Sequence, residues 1–76
     1  MNEKQAIREY LTFTGVTQTE LAERAGLKRQ SNISSMLKEE GAGMRIDNVH
    51  LLVTALGGEL IIRDKPTGIE WEIECD

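Results

Sequence analysis

The sequence predicts a mainly α protein with a small β element, four to five helices followed by a C-terminal β-hairpin. Three observations lead there. Apolar residues recur at helical spacing in four segments up to residue 57. Glycines stand where those segments end: Gly15, Gly26, the pair Gly41 and Gly43, and Gly57-Gly58. Beyond Gly58 the period falls from 3.6 to 2, in Ile69-Glu70-Trp71-Glu72-Ile73-Glu74. Two parts follow, residues 1–57 and residues 58–76.

The first helix is expected over residues 3–13, with Ala6, Ile7, Tyr10 and Leu11 on its buried stripe and Glu3, Lys4, Arg8 and Glu9 outside it. Thr17 is a good N-cap for the second, and Glu20 three residues on completes a capping-box pattern, worth roughly 1 kcal/mol. That helix runs to about Ala25. It turns Leu21, Ala22 and Ala25 inward, so that a second helix can cross it closely, and Gly26 suits the left-handed residue after it. The third lies between Arg29 and Glu39, where Ile33, Met36 and Leu37 fall at i, i+3 and i+4 and Ser34, Ser35 and Lys38 face elsewhere. Gly41-Ala42-Gly43 ends it. The fourth spans Ile46 to Leu56 with Ile46, Val49, Leu52, Val53 and Leu56 buried, and Gly57-Gly58 stops it.

In the C-terminal part, Leu60 to Arg63 is the partner of the alternating strand. A four-residue loop, Lys65-Pro66-Thr67-Gly68, sets Ile62 against Trp71, Leu60 against Ile73 and Arg63 against Glu70 as an opposite-charge pair. Two strands alone are marginal, so the apolar face must cover something. It either caps the helical core or packs against the hairpin of a second copy. Leu60, Ile61 and Ile62 offer apolar surface to both faces of the ribbon, which favours the second, with Leu60, Ile61, Ile62, Trp71 and Ile73 as the dimer interface.

Composition narrows the class. With 76 residues, 39% hydrophobic and 29% charged, the chain has room for one domain and a thin core, which also favours self-association. No apolar run exceeds three residues, Leu60 to Ile62 among them, so neither a membrane span nor a secretory signal is expected, and the cytoplasm is the expected location. Cys75 is the single cysteine and makes no intramolecular disulfide. His50 is the single histidine, with no second soft ligand at metal spacing, and no phosphate loop or nucleophile–base pair stands in the sequence. No enzyme, metal or cofactor is expected. The row Glu70, Glu72, Glu74 and Asp76 reads as a solvated strand face.

A net charge of −4 argues at first against nucleic acid. Its distribution softens that objection. Residues 1–40 hold six basic and six acidic groups, so the excess negative charge lies beyond them. Residues 24–38 hold Arg24, Lys28, Arg29 and Lys38 and no acid, a local basic face on an acidic protein.

The stretch Thr17-Gln18-Thr19-Glu20-Leu21-Ala22-Glu23-Arg24-Ala25-Gly26-Leu27, followed by Ile33-Ser34-Ser35-Met36-Leu37, resembles the helix-turn-helix of the phage lambda repressor, Cro and Xre family. The likeness covers residues 1–57, and Ile46 to Gly57 is similar to the family's leucine-rich helix ending in Ala-Leu-Gly. It implies that the second helix lies across a DNA backbone and the third enters the major groove. Six residues, Leu27 to Asn32, separate the turn glycine from the next buried aliphatic, where the family has five.

Alignment backward from Ile33 places Gln30 and Ser31 on the family's main base-reading positions, with Asn32 and Ser35 close by. The resemblance gives Gln18 a phosphate contact and the support of the reading side chains. Lys28 and Arg29 follow as phosphate ligands, with Lys38 and Arg45 as lesser ones. The expected function is a sequence-specific transcriptional regulator, a repressor, holding double-stranded DNA as a homodimer on a near-palindromic operator. The alternative is an antitoxin that neutralises a toxin partner and represses its own operon.

Overall fold

The computed structural model describes residues 1–38 and 43–75. They form four helices, α1 (Glu3–Thr14), α2 (Gln18–Arg24), α3 (Gln30–Met36) and α4 (Ile46–Ala55), and two strands, β1 (Ile61–Arg63) and β2 (Glu70–Glu72). Gly41 and Ala42 of the expected terminator after α3 lie outside the described residues.

Local chemistry sets the helix ends. Asn2 caps α1 with a full capping box: its side chain accepts from the Gln5 backbone N–H at 2.9 Å and its own N–H donates to Gln5 Oε1 at 3.0 Å. At α2, Thr17 Oγ1 accepts from the Glu20 N–H at 3.1 Å. The expected reciprocal bond differs, because the Glu20 carboxylate takes the Thr17 hydroxyl, at 3.3 Å, rather than its N–H. Helix α2 closes in a Schellman motif, with Gly26 N–H on Glu23 O at 3.2 Å and Leu27 N–H on Ala22 O at 2.8 Å. That geometry requires the left-handed φ of +73° at Gly26.

The core is Ile7, Leu11, Leu21, Ala22, Ile33, Leu37, Leu52 and Leu56, all from the four helices and their C-caps. Leu21, Ile33, Leu37 and Leu52 lie at its centre, none more than 1% exposed. Tyr10, Val16, Ala25, Leu27, Met36, Met44, Val49 and Val53 pack around it.

Three expectations are corrected. Ala6 is exposed, because its side of α1 faces away from the core toward an open apolar hollow shared with Val49, Val53 and Leu60. Ile46, the first residue of α4, is 59% exposed, since the core narrows before that end of the helix reaches it. Lys4 is buried: its stem lies in the packing between helices while its Nζ donates to the Lys38 carbonyl beyond α3. Arg8, one turn on, donates to the carbonyl of Leu37. Two cations of α1 thus hold the carbonyl end of α3, where positive charge is favourable. From the same helix, Glu3 Oε1 accepts from the Met44 N–H at 3.1 Å and ties down the approach to α4.

The hairpin has the expected register, Ile61 opposite Glu72, Ile62 opposite Trp71 and Arg63 opposite Glu70, and Ile73 N–H reaches Leu60 O at 2.8 Å. Asp64 and Ile69 close a loop of four residues, and Asp64 Oδ2 accepts the Thr67 hydroxyl at 2.6 Å. The hairpin leaves the helices at Gly58. A Cβ at Gly58 would sit 2.8 Å from Tyr10 Oη, 2.9 Å from Tyr10 Cε2 and 3.1 Å from Val53 Cγ1, so any larger residue must push the tyrosine ring aside. The radius of gyration, 12.9 Å, exceeds the roughly 11 Å of a compact chain of this length, and the long axis is 40 Å.

Two outcomes test this packing. Gly58→Ala should cost about 1–3 kcal/mol in urea unfolding, by overpacking against Tyr10 and Val53. The Glu3 pKa is lowered, first by its own backbone N–H and then by that of Met44. A carboxylate with a depressed folded pKa contributes stability above its unfolded pKa and loses it as the pH falls through the folded value. Glu3→Gln should therefore lower stability by a constant amount at neutral and alkaline pH and flatten the acid side of the stability–pH curve.

Candidate nucleic-acid interface

Helix α3 has one apolar side and one polar side. At about 100° per residue, Ile33, Met36 and Leu37 fall together on the inner side, and Gln30, Ser31, Ser34 and Ser35 on the outer. Arg29 precedes α3 in extended conformation, φ −140° and ψ 141°, without a side-chain cap. The five residues between α2 and α3 bring the two helices into their closest packing partnership in the helical body and carry Lys28 and Arg29 on the exterior.

A triangle of side chains joins these helices. Gln18 Oε1 accepts from Gln30 Nε2 at 2.8 Å and from the Ser34 hydroxyl at 2.8 Å, and Gln30 Nε2 lies 3.3 Å from Ser34 Oγ. The first residue of α2 thereby fixes the first residue of α3. The Gln18 amide hydrogens and the Gln30 carbonyl oxygen take no part in the triangle, so it presents one donor group and one acceptor.

Ser31 and Asn32, which follow Gln30 in the chain, are exposed, as are Lys28 and Arg29 before α3 and Lys38 past its other end. Ser35 is also exposed but belongs to another neighbourhood, a hollow lined with Lys4, Met36, Met44, Arg45 and Asn48. Arg45 pairs there with Asp47 at 3.1 Å, both well exposed, a contact of little energetic weight.

Two residues of the site escaped the sequence reading. Ser34 was expected to face elsewhere, yet it is half-buried and bonded to Gln18; its i+4 spacing from Gln30 was the available signal. Arg8 lines an open hollow of about 370 Å³ with Leu11, Thr12, Gln18, Ser34 and Leu37, which adds a cation beside the triangle. Its signal was the i+4 pair with Lys4 on a helix that otherwise needed no basic stripe.

The second surface is the hairpin. Ile62, Ile69 and Trp71 are 57%, 53% and 55% exposed, while Leu60 and Ile73 near its foot are half-buried. Its apolar end therefore covers none of the core within one chain. By strand alternation Leu60, Ile62, Ile69, Trp71 and Ile73 share one face and Glu59, Ile61, Arg63, Glu70, Glu72 and Glu74 the other. At the foot, Leu60 joins Glu3, Ala6, Ile7, Tyr10, Val49 and Val53 around an apolar hollow of about 230 Å³. No helix among the described residues is long and apolar enough to cross a membrane.

Comparison with protein-family models, with characterised proteins and with solved structures finds no significant match.

On the acidic face, the Glu72 pKa is raised, first by a hydrogen bond to Glu59, then by the charges of Glu59 and Glu74, with His50 opposing. An acid with a raised folded pKa favours the folded state below its unfolded pKa, and that contribution is lost as the pH rises through the folded value. Glu72→Gln should therefore strengthen the hairpin at neutral pH and flatten its response between mildly acidic and neutral pH. Trp71, the single tryptophan, provides the fluorescence readout.

Proposed function

We propose that the protein is a sequence-specific DNA-binding regulator, reading the major groove with α3 as the second helix of a helix-turn-helix and repressing transcription from a near-palindromic operator as a homodimer. The observation that carries the reading is the Gln18–Gln30–Ser34 triangle. Holding a glutamine at the first turn of an exposed helix, from the first residue of the preceding helix, removes rotamer freedom that base recognition would otherwise cost. With its amide hydrogens held in the triangle and the Gln18 amide left to donate, Gln30 keeps its carbonyl oxygen free to accept from adenine N6. Ser31 and Asn32 stand next to it as adaptable partners.

The electrostatics support the same reading. Arg24, Lys28, Arg29 and Lys38 lie exposed around α3, in a stretch that holds no acid. The acids of the hairpin sit at the other end of the chain, where repulsion from phosphate would hold that end away from the duplex. In this assignment Gln30, Ser31 and Asn32 read bases, with Ser35 more peripheral, and Gln18, Lys28, Arg29 and Lys38 hold phosphates.

A gel shift on DNA from upstream of the protein's own gene, with a salt series and scrambled competitor, tests the reading. A competitor-resistant complex is expected; binding that any competitor removes equally, or none, would overturn it and favour a protein partner such as a toxin. Within a specific complex, Gln30→Ala should cost about 1–3 kcal/mol and relax preference at one base position. Arg29→Ala should instead weaken all sequences together and reduce the salt slope by about 1.

A further inference from the structure

The hairpin has two open edges, since β1 and β2 pair only with each other among the described residues. Their chemistry differs. Leu60 and Asp64 bond across to Ile73 and Ile69, so by alternation the N–H and C=O groups of Ile61 and Arg63 point to the outer edge of β1. Along that edge the side chains of one face read Glu59, Ile61, Arg63. This order is self-complementary under a two-fold rotation. The outer edge of β2 reads Glu70, Glu72, Glu74, and the same rotation there would set carboxylates against carboxylates.

We propose that the free edge of β1 pairs, antiparallel, with β1 of a second copy about a two-fold axis at Ile61, so that Glu59 of each chain faces Arg63 of the other. The two hairpins then form one four-stranded sheet with β2 of each copy at its rims, and the like charges of β2 keep further copies off. The pairing rests on the reading that the protein works as a dimer and specifies its edge, register and occupant; it does not require DNA.

The apolar face fits the same arrangement. In this register Ile62 of one copy stands beside Leu60 of the other, and Trp71 stands across from Ile62. Leu60 lines the hollow formed with Ala6, Tyr10, Val49 and Val53, so the exposed Ile62 and Trp71 of one chain arrive at the hollow of its partner. Three residues of strand edge fall well short of the roughly 800 Å² per partner of a stable interface. The hollow and the exposed hairpin end supply the apolar remainder. Glu59, which in one chain shares its face of the hairpin with the carboxylates of Glu70, Glu72 and Glu74, gains a cation.

Sedimentation of the full chain without DNA tests the pairing. The wild type should dimerise, and Glu59→Arg and Arg63→Glu should each weaken the dimer about tenfold, since each opposes like charges twice. An equimolar mixture of these two variants should regain wild-type affinity within about twofold, because every cross-chain pair is again opposite in sign. Intrachain effects of the substitutions persist in the mixture, so they cannot produce that recovery. Glu72→Gln, on the other edge, adds no cation to compete for Glu59 and should change dimerisation by no more than about twofold. A mixture no tighter than its components, a wild type that stays monomeric, or a dimer controlled by residue 72 would overturn the proposal. A dimer with this behaviour that fails the gel shift would overturn the DNA reading alone, whereas a monomer that binds an operator would overturn only the pairing.

Discussion

Everything in the helical body depends on the contact among Leu21, Ile33, Leu37 and Leu52, side chains from α2, α3 with its C-cap, and α4 that are all but withdrawn from solvent. A chain of this size buries too little surface to afford a second such centre. The two short helices α2 and α3, at seven residues each, are below the length at which a helix persists in water, so their orientation comes from this contact rather than from propensity. Ala22 and Gly26 let the helices approach and turn; the leucines and Ile33 decide where they stop.

Around that centre, polar groups are arranged to hold α3 from both ends. Gln18 fastens its first turn, while Lys4 and Arg8 take carbonyls at its last. The outer face of α3 is thereby presented rigidly although the helix has no side-chain N-cap of its own. A recognition surface gains from this because its ordering cost is met on folding rather than on binding. The core ends at Leu56, and the chain past Gly58 has no apolar surface of the helices left to share except the hollow beside Tyr10. Hence the exposed Ile62, Ile69 and Trp71.

Much of this was legible in the residues. The four helices, the Thr17 N-cap, the Gly26 turn and the hairpin register all follow from patterns confined to a few neighbouring positions. The resemblance also points to Gln18 and Gln30, and the structure brings these two side chains together. Misplaced residues share one cause. Ala6 and Ile46 sit on the correct helical stripe but at the margin of a core too small to reach them, and Lys4 sits off the stripe but next to an acceptor 34 positions away. Ser34 followed the polar side of its helix and was still drawn half inside by Gln18.

The sequence by itself determined which segments are helix and which are strand, and which strand residues face one another, because periodicity, capping and turn chemistry act over a turn or a hairpin. Only the tertiary structure decided how far the core extends, that Ser34 and Arg8 join Gln18 and Gln30, that Ser35 belongs to a different neighbourhood, and that the apolar end of the hairpin is left uncovered. These depend on contacts between positions 12 to 46 apart in the chain, which no local pattern encodes.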